Sequence, residues 1–122
     1  KKNKGKKIIL IDRFIDSTIA YQHFGMGINL DLINKLNKFI LDGFVPSFTF
    51  LSIVNKINMK SRLSKRFSLN KYDKFNLSFY NKVQNGFLSL SRNKKNYLII
   101  DSNKNNIKKN SQIIINKIKK LI

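Results

Sequence analysis

The chain has 122 residues, enough for one domain. It carries 25 Lys and Arg against six acids, a formal net charge of +19. With no Cys and a single His, His23, disulfide scaffolds, cysteine-held metal sites and mechanisms needing two imidazoles are excluded.

At the amino end, Lys1-Lys2-Asn3-Lys4-Gly5 is polar and precedes no apolar core with a cleavage site, so no secretory signal is expected. The absence of an initiating Met leads us to expect a piece of a longer chain. Ile8-Ile9-Leu10-Ile11 lacks alternation and reads as a strand buried on both faces. It runs into Asp12-Arg13, at the carboxyl edge where open α/β sheets bind ligands. Asp16 or Ser17 is expected to cap a short helix reaching about Phe24, broken by Gly25-Met26-Gly27. Asn29 or Asp31 starts a second helix, with Leu32, Ile33, Leu36, Phe39 and Ile40 on one face and Asp42-Gly43 at its end. Residues 43–55 form an uncharged stretch of 13 residues that includes Pro46, too short to span a membrane. Within it, residues 48–54 are rich in β-formers and predict a second buried strand.

A basic helix is predicted over residues 56–65 and a polar loop over 67–71. Phe75, Phe79, Val83 and Phe87 recur every four residues, predicting a long amphipathic helix from Asp73 to about Arg92. Tyr97-Leu98-Ile99-Ile100 reads as a third strand ending in Asp101-Ser102-Asn103, and Ile107, Ile114, Ile118 and Leu121 line a last helix. Strands separated by helices predict an α/β fold with a parallel sheet. No Gly-x-x-x-x-Gly-Lys-Ser/Thr phosphate loop occurs, and Lys4-Gly5-Lys6-Lys7 does not make one.

Of the 25 basic residues, 21 are Lys and four are Arg: Arg13, Arg62, Arg66 and Arg92. The chain also holds 17 Asn, 18 Ile, one Ala and no Glu, a balance that A/T-rich coding sequence favours. Coding bias can therefore account for the charge. Nucleic-acid interfaces favour Arg, whose planar fork reads guanine and clamps phosphate. A basic nucleic-acid-binding module stands as the alternative to a plain solvated surface.

Asp12 and Arg13 at a strand end can be a structural ion pair or ligand-binding groups. The 13 residues Leu10-Ile11-Asp12-Arg13-Phe14-Ile15-Asp16-Ser17-Thr18-Ile19-Ala20-Tyr21-Gln22 tip the balance. They resemble the Asp-Arg-Tyr/Phe…Asp-Ser-Ser/Thr-x-Ala-Tyr-Gln signature of the thymidylate kinase family. Downstream, Leu32-Ile33-Asn34-Lys35-Leu36-Asn37-Lys38-Phe39, Pro46-Ser47-Phe48-Thr49-Phe50-Leu51, Asn70-Lys71-Tyr72-Asp73 and Ile99-Ile100-Asp101-Ser102 are similar to the family's later segments. So is Phe79-Tyr80-Asn81-Lys82-Val83-Gln84-Asn85-Gly86-Phe87, and the resemblance covers essentially the whole chain.

The resemblance implies a partial P-loop nucleoside monophosphate kinase fold, a parallel sheet flanked by helices with its first strands missing. The chain would be the C-terminal part of such a kinase, with a lid near residues 60–72. The phosphate-binding loop would lie upstream, within roughly 80–100 residues for a domain of ordinary size. In the family that loop follows a central strand, which would sit between residues 8–11 and residues 48–54. The isolated chain is therefore expected to be inactive, with strand edges left unpaired.

The implied activity is transfer of the γ-phosphoryl of ATP to dTMP, giving dTDP for dTTP biosynthesis, with Mg²⁺, in the cytoplasm. A homodimer of the complete protein is implied, with residues 32–39 able to contribute, and neither a specific nucleic acid nor a membrane is a partner. By the same resemblance Arg13 holds the dTMP phosphate and Asp12 orders the water shell of Mg²⁺. Ser17 and Thr18 contact the nucleotide, and Thr18 and Gln22 are candidates for the thymine edge. Tyr21 would stack under the deoxyribose and reject a 2′-hydroxyl, the plainer alternative being packing of an amphipathic tyrosine. Arg62 and Arg66 are spaced i, i+4 and share a helix face, one of them a candidate lid arginine on the transferring phosphoryl. Tyr72 is a candidate dTMP contact and Asp73 a candidate for the metal shell. Asn70 and Asp73 replace an acid and a Glu of the family pattern, and Ser47 and Ile53 each stand where it has Asp. His23, in place of a small residue, reads as surface or packing. Another nucleotide or deoxynucleoside kinase would share the Asp-Arg pair, but the Ser-Thr-x-Ala-Tyr-Gln run argues against it.

Overall fold

Asparagine side chains start most of the helices. In the computed structural model, which describes residues 8–65 and 76–122, α2 (Leu30–Leu41), α3 (Lys56–Ser64), α4 (Leu77–Ser91) and α5 (Ile107–Lys119) follow Asn29, Asn55, Asn76 and Asn106. Each Asn Oδ1 accepts a hydrogen bond from the backbone N–H three residues on, at 3.1, 2.8, 2.9 and 2.9 Å. Such a cap satisfies a donor that the helix itself cannot, and replacing it by Ala costs about 1 kcal/mol. Helix α2 ends at Asp42, whose left-handed backbone (φ 46°) is followed by Gly43 at φ 76°.

Strands β1 (Thr49–Ile53) and β2 (Tyr97–Asp101) pair in parallel, with Thr49 opposite Tyr97 and Ile53 opposite Asp101. A parallel pair needs a long crossover, and α3 and α4 lie within it. The ladder is closed by Thr49 N–H to the Asn96 carbonyl (2.8 Å) and Ser102 N–H to that of Ile53 (3.0 Å). The predicted α/β class and both of these strands are found.

Ahead of them, α1 (Ile15–Thr18) runs directly into a π-helix over Ile19–Gly25. The expected cap at Asp16 or Ser17 is not formed. Both lie inside α1, Phe14 holds the cap position without a side-chain bond, and the Asp16 carboxylate is engaged elsewhere.

The core joins this π-helix to α4: Ala20, Phe79 and Val83 are buried, with Tyr21, Tyr80 and Phe87 packed around them. Two glycines permit the approach. A Cβ on Gly25 would lie 2.6 Å from the Phe79 ring, and one on Gly86 would lie 2.7 Å from the Phe24 ring.

Three expectations need correction. Residues 8–11 form no strand and are 51–77% exposed. No strand among the described residues pairs with them, and an unpaired strand leaves its amides to water. On α2 only Ile33 is buried, while Leu32, Leu36, Phe39 and Ile40 face solvent, because no described element covers that side. On α5, Ile107 is 86% exposed, and Leu121 lies beyond the helix. The predicted polar loop at 67–71, together with Lys4-Gly5-Lys6-Lys7, Arg66, Asn70, Tyr72, Asp73 and Phe75, lies outside the described residues.

Gly86→Ala gains roughly 1 kcal/mol of helix propensity. It also drives a methyl group into the Cγ and Cβ atoms of Phe24, and overpacking of that kind costs about 1–3 kcal/mol. The clash should win, lowering the thermal midpoint measured by circular dichroism; a higher midpoint would contradict this account of the core.

Candidate functional site

Arg13 is the most constrained residue of the motif. Its φ is 65°, a left-handed conformation that costs an L-residue about 1–2 kcal/mol. Its guanidinium carbon lies 5.3 Å from the centroid of the Tyr21 ring, in a cation–π contact. Strain of this size persists only where surrounding structure holds it, and such positions cluster at functional sites.

Tyr21 answers to both readings made of it. Its ring meets Phe79 and Phe87 edge-on at 6.0 and 6.4 Å, as a packing tyrosine would, and still offers a surface to Arg13. It also borders a cavity of about 130 Å³ shared with Leu51 and Ile53 of β1 and Val83 and Phe87 of α4. Its neighbour Gln22 presents a buried Oε1 that has no hydrogen-bond partner among the described residues. An orphaned buried acceptor is costly, and it is satisfied at once if a ligand supplies a donor. Ser17 is half-buried, whereas Asp12, Arg13 and Thr18 are exposed.

The π-helix itself could not be anticipated from periodicity. Such turns are rare and favour functional sites. It closes with Met26 N–H on the Tyr21 carbonyl (3.0 Å) and with His23 Nδ1 donating to the Ile28 carbonyl at 2.9 Å. His23 therefore serves the end of the helix.

A second polar group surrounds the carboxyl ends of the strands. Asn103 Oδ1 accepts from Asn55 N–H (2.8 Å) and from Asn58 Nδ2 (3.1 Å), and the Ser52 and Ser102 hydroxyls are 2.6 Å apart. Asn103 donates to Asp101 through its backbone N–H and its amide, which holds the Asp101 carboxyl below its usual range. Arg62 joins this group by donating from Nη2 to the Ser102 carbonyl at 3.0 Å. The motif, in contrast, is tied to the first residue of β2, since the Tyr97 hydroxyl donates to the Asp16 carboxylate. The two anchor points, Tyr97 and Ser102, are five residues apart along an extended chain, roughly 16 Å. Asp16, three residues after Arg13, and Arg62 are thus tied to opposite ends of one strand. Sequence reading missed Tyr97, and no local pattern signals a partner 81 residues away.

Among the described residues, no three His, Cys, Asp or Glu side chains gather to hold a metal ion. None of their helices is long and apolar enough to cross a membrane.

The family model for thymidylate kinase matches residues 1–114. The chain belongs to the thymidylate kinase family. It is 44% identical over 90 residues to a thymidylate kinase of Wolbachia sp. subsp. Brugia malayi, covering 74% of this chain and 42% of that protein. A thymidylate kinase of Geobacillus sp. is 39% identical over 104 residues, 83% of this chain and 50% of the relative. One from Sulfurihydrogenibium sp. is 35% identical over 113 residues, 92% and 54%. The chain thus spans about half the length of the curated relatives it matches.

Two outcomes follow for this thymidylate kinase family chain. Arg13→Gly removes the left-handed strain while Arg13→Ala keeps it, and both lose a cation–π contact worth about 0.5–1 kcal/mol. The glycine variant should therefore be more stable than the alanine variant, by about 1 kcal/mol in urea melts. Tyr97 is pushed up to about 12 from its ordinary 10.0, by burial first and then by the hydrogen bond and negative charge of Asp16. Its neutral phenol contributes stability in full below about pH 10, and that contribution is lost as pH rises through about 12. Tyrosinate absorbance should show a late-ionising phenol contribution above pH 11 that Tyr97→Phe abolishes.

Proposed function

We propose that the protein acts in the transfer of the γ-phosphoryl group of ATP to dTMP, with residues 12–22 as the dTMP half of the site. The observation that carries this reading is the strained Arg13 backbone with its guanidinium over Tyr21, together with the orphaned Oε1 of Gln22, the next residue in the motif. A fixed cation and a buried, unmet acceptor are what a pyrimidine nucleotide with a phosphate at one end and an N3–H at the other requires. In this reading Arg13 pairs with the dTMP phosphate, Gln22 accepts from the thymine ring, and Thr18 contacts the base edge. Ser17 contacts the nucleotide, and Tyr21 supports the deoxyribose from the core side.

In the reaction, a dTMP phosphate oxygen attacks the γ-phosphorus, the bond from that phosphorus to the β,γ-bridging oxygen breaks, and ADP leaves. The protein's task is to position the groups and stabilise charge. Mg²⁺ keeps most of its water and needs only one or two carboxylates beside the phosphates. The exposed Asp12 next to Arg13 fits that requirement as an outer-sphere holder, and the ion would offset phosphate charge. Asp73 is assigned to the same shell and Tyr72 to dTMP. Arg62 and Arg66 are the lid arginines of a lid near residues 60–72, in a chain that is, over residues 1–122, the C-terminal part of the kinase domain. The exposed apolar side of α2, with Leu32, Leu36, Phe39 and Ile40, suits a second copy of the complete protein. Placement in the cytoplasm accords with this reading.

Because no phosphate-binding loop occurs in the 122 residues, the chain should bind dTMP without turning it over. Isothermal titration should detect dTMP binding that Arg13→Ala weakens by about 10- to 100-fold, as expected for loss of a charge-assisted pair. Binding indifferent to Arg13→Ala would reject the assignment, and ATP-dependent dTDP formation by this chain alone would reject the division of labour.

A further inference from the structure

What orients the motif is a separate question from what it binds. Residues 8–11 give it no strand to start from, α1 has only four residues and Phe14 supplies no side-chain cap. Helix α1 continues without a break into the π-helix, so a bond at its start acts on the whole segment. Its backbone tether at the start is Ser17 N–H on the Phe14 carbonyl at 2.9 Å, a bond internal to the segment. The π-helix is gripped by α4 through apolar contacts, none of which reaches the sheet. One directional contact among the described residues reaches from α1 to the sheet, the part-buried hydrogen bond from the Tyr97 hydroxyl to the Asp16 carboxylate. Asp16 stands three residues after Arg13 and directly before Ser17. Tyr97 is itself fixed, opening β2 opposite Thr49 with the Lys94 ammonium 5.0 Å from its ring centroid.

We infer that Asp16 and Tyr97 are positioning residues for the nucleotide site: their hydrogen bond sets the rotation of α1 and so aligns Arg13 over Tyr21 and turns Ser17 and Thr18 toward the ligand. This inference rests on the dTMP reading for its ligand, though not for its geometry. A hydrogen bond to a charged acceptor in a partly buried setting is among the stronger single contacts available to a segment this short. The carboxylate is a better choice here than a hydroxyl because it holds the acceptor position whichever way the phenol swings.

The test uses the whole chain and two readouts. In the wild type, the ring current of Tyr21 should displace the Arg13 Nε–H resonance upfield. Asp16→Ala and Tyr97→Phe should each remove that displacement and weaken dTMP binding by about tenfold. The double variant should lose no more than either single one, because both act through one bond. Asp16→Asn keeps an acceptor for the phenol and should stay within about threefold of wild type. The inference is overturned if the Arg13 displacement survives both single variants, if the losses add, or if Asp16→Asn falls as far as Asp16→Ala. It is also overturned if Tyr97→Phe, which removes only a hydroxyl, unfolds the chain, since the bond would then hold the fold and not the site. A wild-type chain that takes up no dTMP rejects the nucleotide reading by itself, and the Arg13 resonance still decides the role of the bond.

Discussion

Two phenylalanines seated on two glycines hold this structure together. Phe24 of the π-helix lies against Gly86 of α4, and Phe79 of α4 lies against Gly25 of the π-helix. The exchange lets two helical segments approach closely over a core whose small member, Ala20, is completely buried. Tyr21 belongs to the same interface, through its edge contacts to Phe79 and Phe87. The surface on which Arg13 rests is therefore an outer face of the core. Aromatic pairs of this kind contribute about 0.5–1.5 kcal/mol each, and the cation–π contact contributes about 0.5–1 kcal/mol. The core decides where Tyr21 sits.

The two-stranded sheet acts as a spacer. Asp16 is attached at Tyr97, where β2 begins, and Arg62 at Ser102, just past its end. The Arg62 attachment is a single bond from an exposed guanidinium to a carbonyl, and a phosphate in reach would replace it with a charge-assisted, bidentate contact. Under the proposed function, the bond to Ser102 is the resting position of a lid side chain, given up when an anion arrives. The Asp16 bond is of another kind. It is part-buried, and its loss would leave a carboxylate facing a partly dry surface with no donor.

Much of the fold was legible because it follows from local pattern. The β-rich runs at 49–53 and 97–101 are strands, and the spacing of Phe79, Val83 and Phe87 marks the buried side of α4. The run at 8–11 carries the same signal and forms no strand, because an apolar run becomes a strand only beside another one. The capping roles of Asn55, Asn76 and Asn106 were readable in principle, from a capping residue ahead of each helix. They were hidden by the abundance of Asn, which made each one look like background. Asp16 misled in the opposite direction, since a carboxylate at a helix start reads as a cap and here serves a tyrosine far along the chain. For the site, residues 12–22 were recognisable as a signature, but the strain at Arg13 and the change to π-helical pairing are products of packing against α4 and leave no trace in spacing.

Lysine and asparagine, which coding bias can raise together, are put to different uses by the fold. Four asparagines close helix starts, and Asn103 joins β2 to α3. Few of the described lysines have comparable roles: Lys94 and Lys117 lie over the rings of Tyr97 and Phe48, and the Lys104–Asp101 pair at 3.7 Å leaves the lysine 81% exposed. With six acids against 25 bases, the positive charge cannot be balanced internally. Its field reaches about 8–10 Å at ordinary ionic strength and draws any phosphate toward the surface. Attraction of that kind cannot tell one nucleotide from another. On the proposed reading, charge therefore governs how often a phosphate arrives. On the same reading, selection falls to a group that charge cannot satisfy, the buried carbonyl oxygen of Gln22, which a ligand with a correctly placed donor relieves.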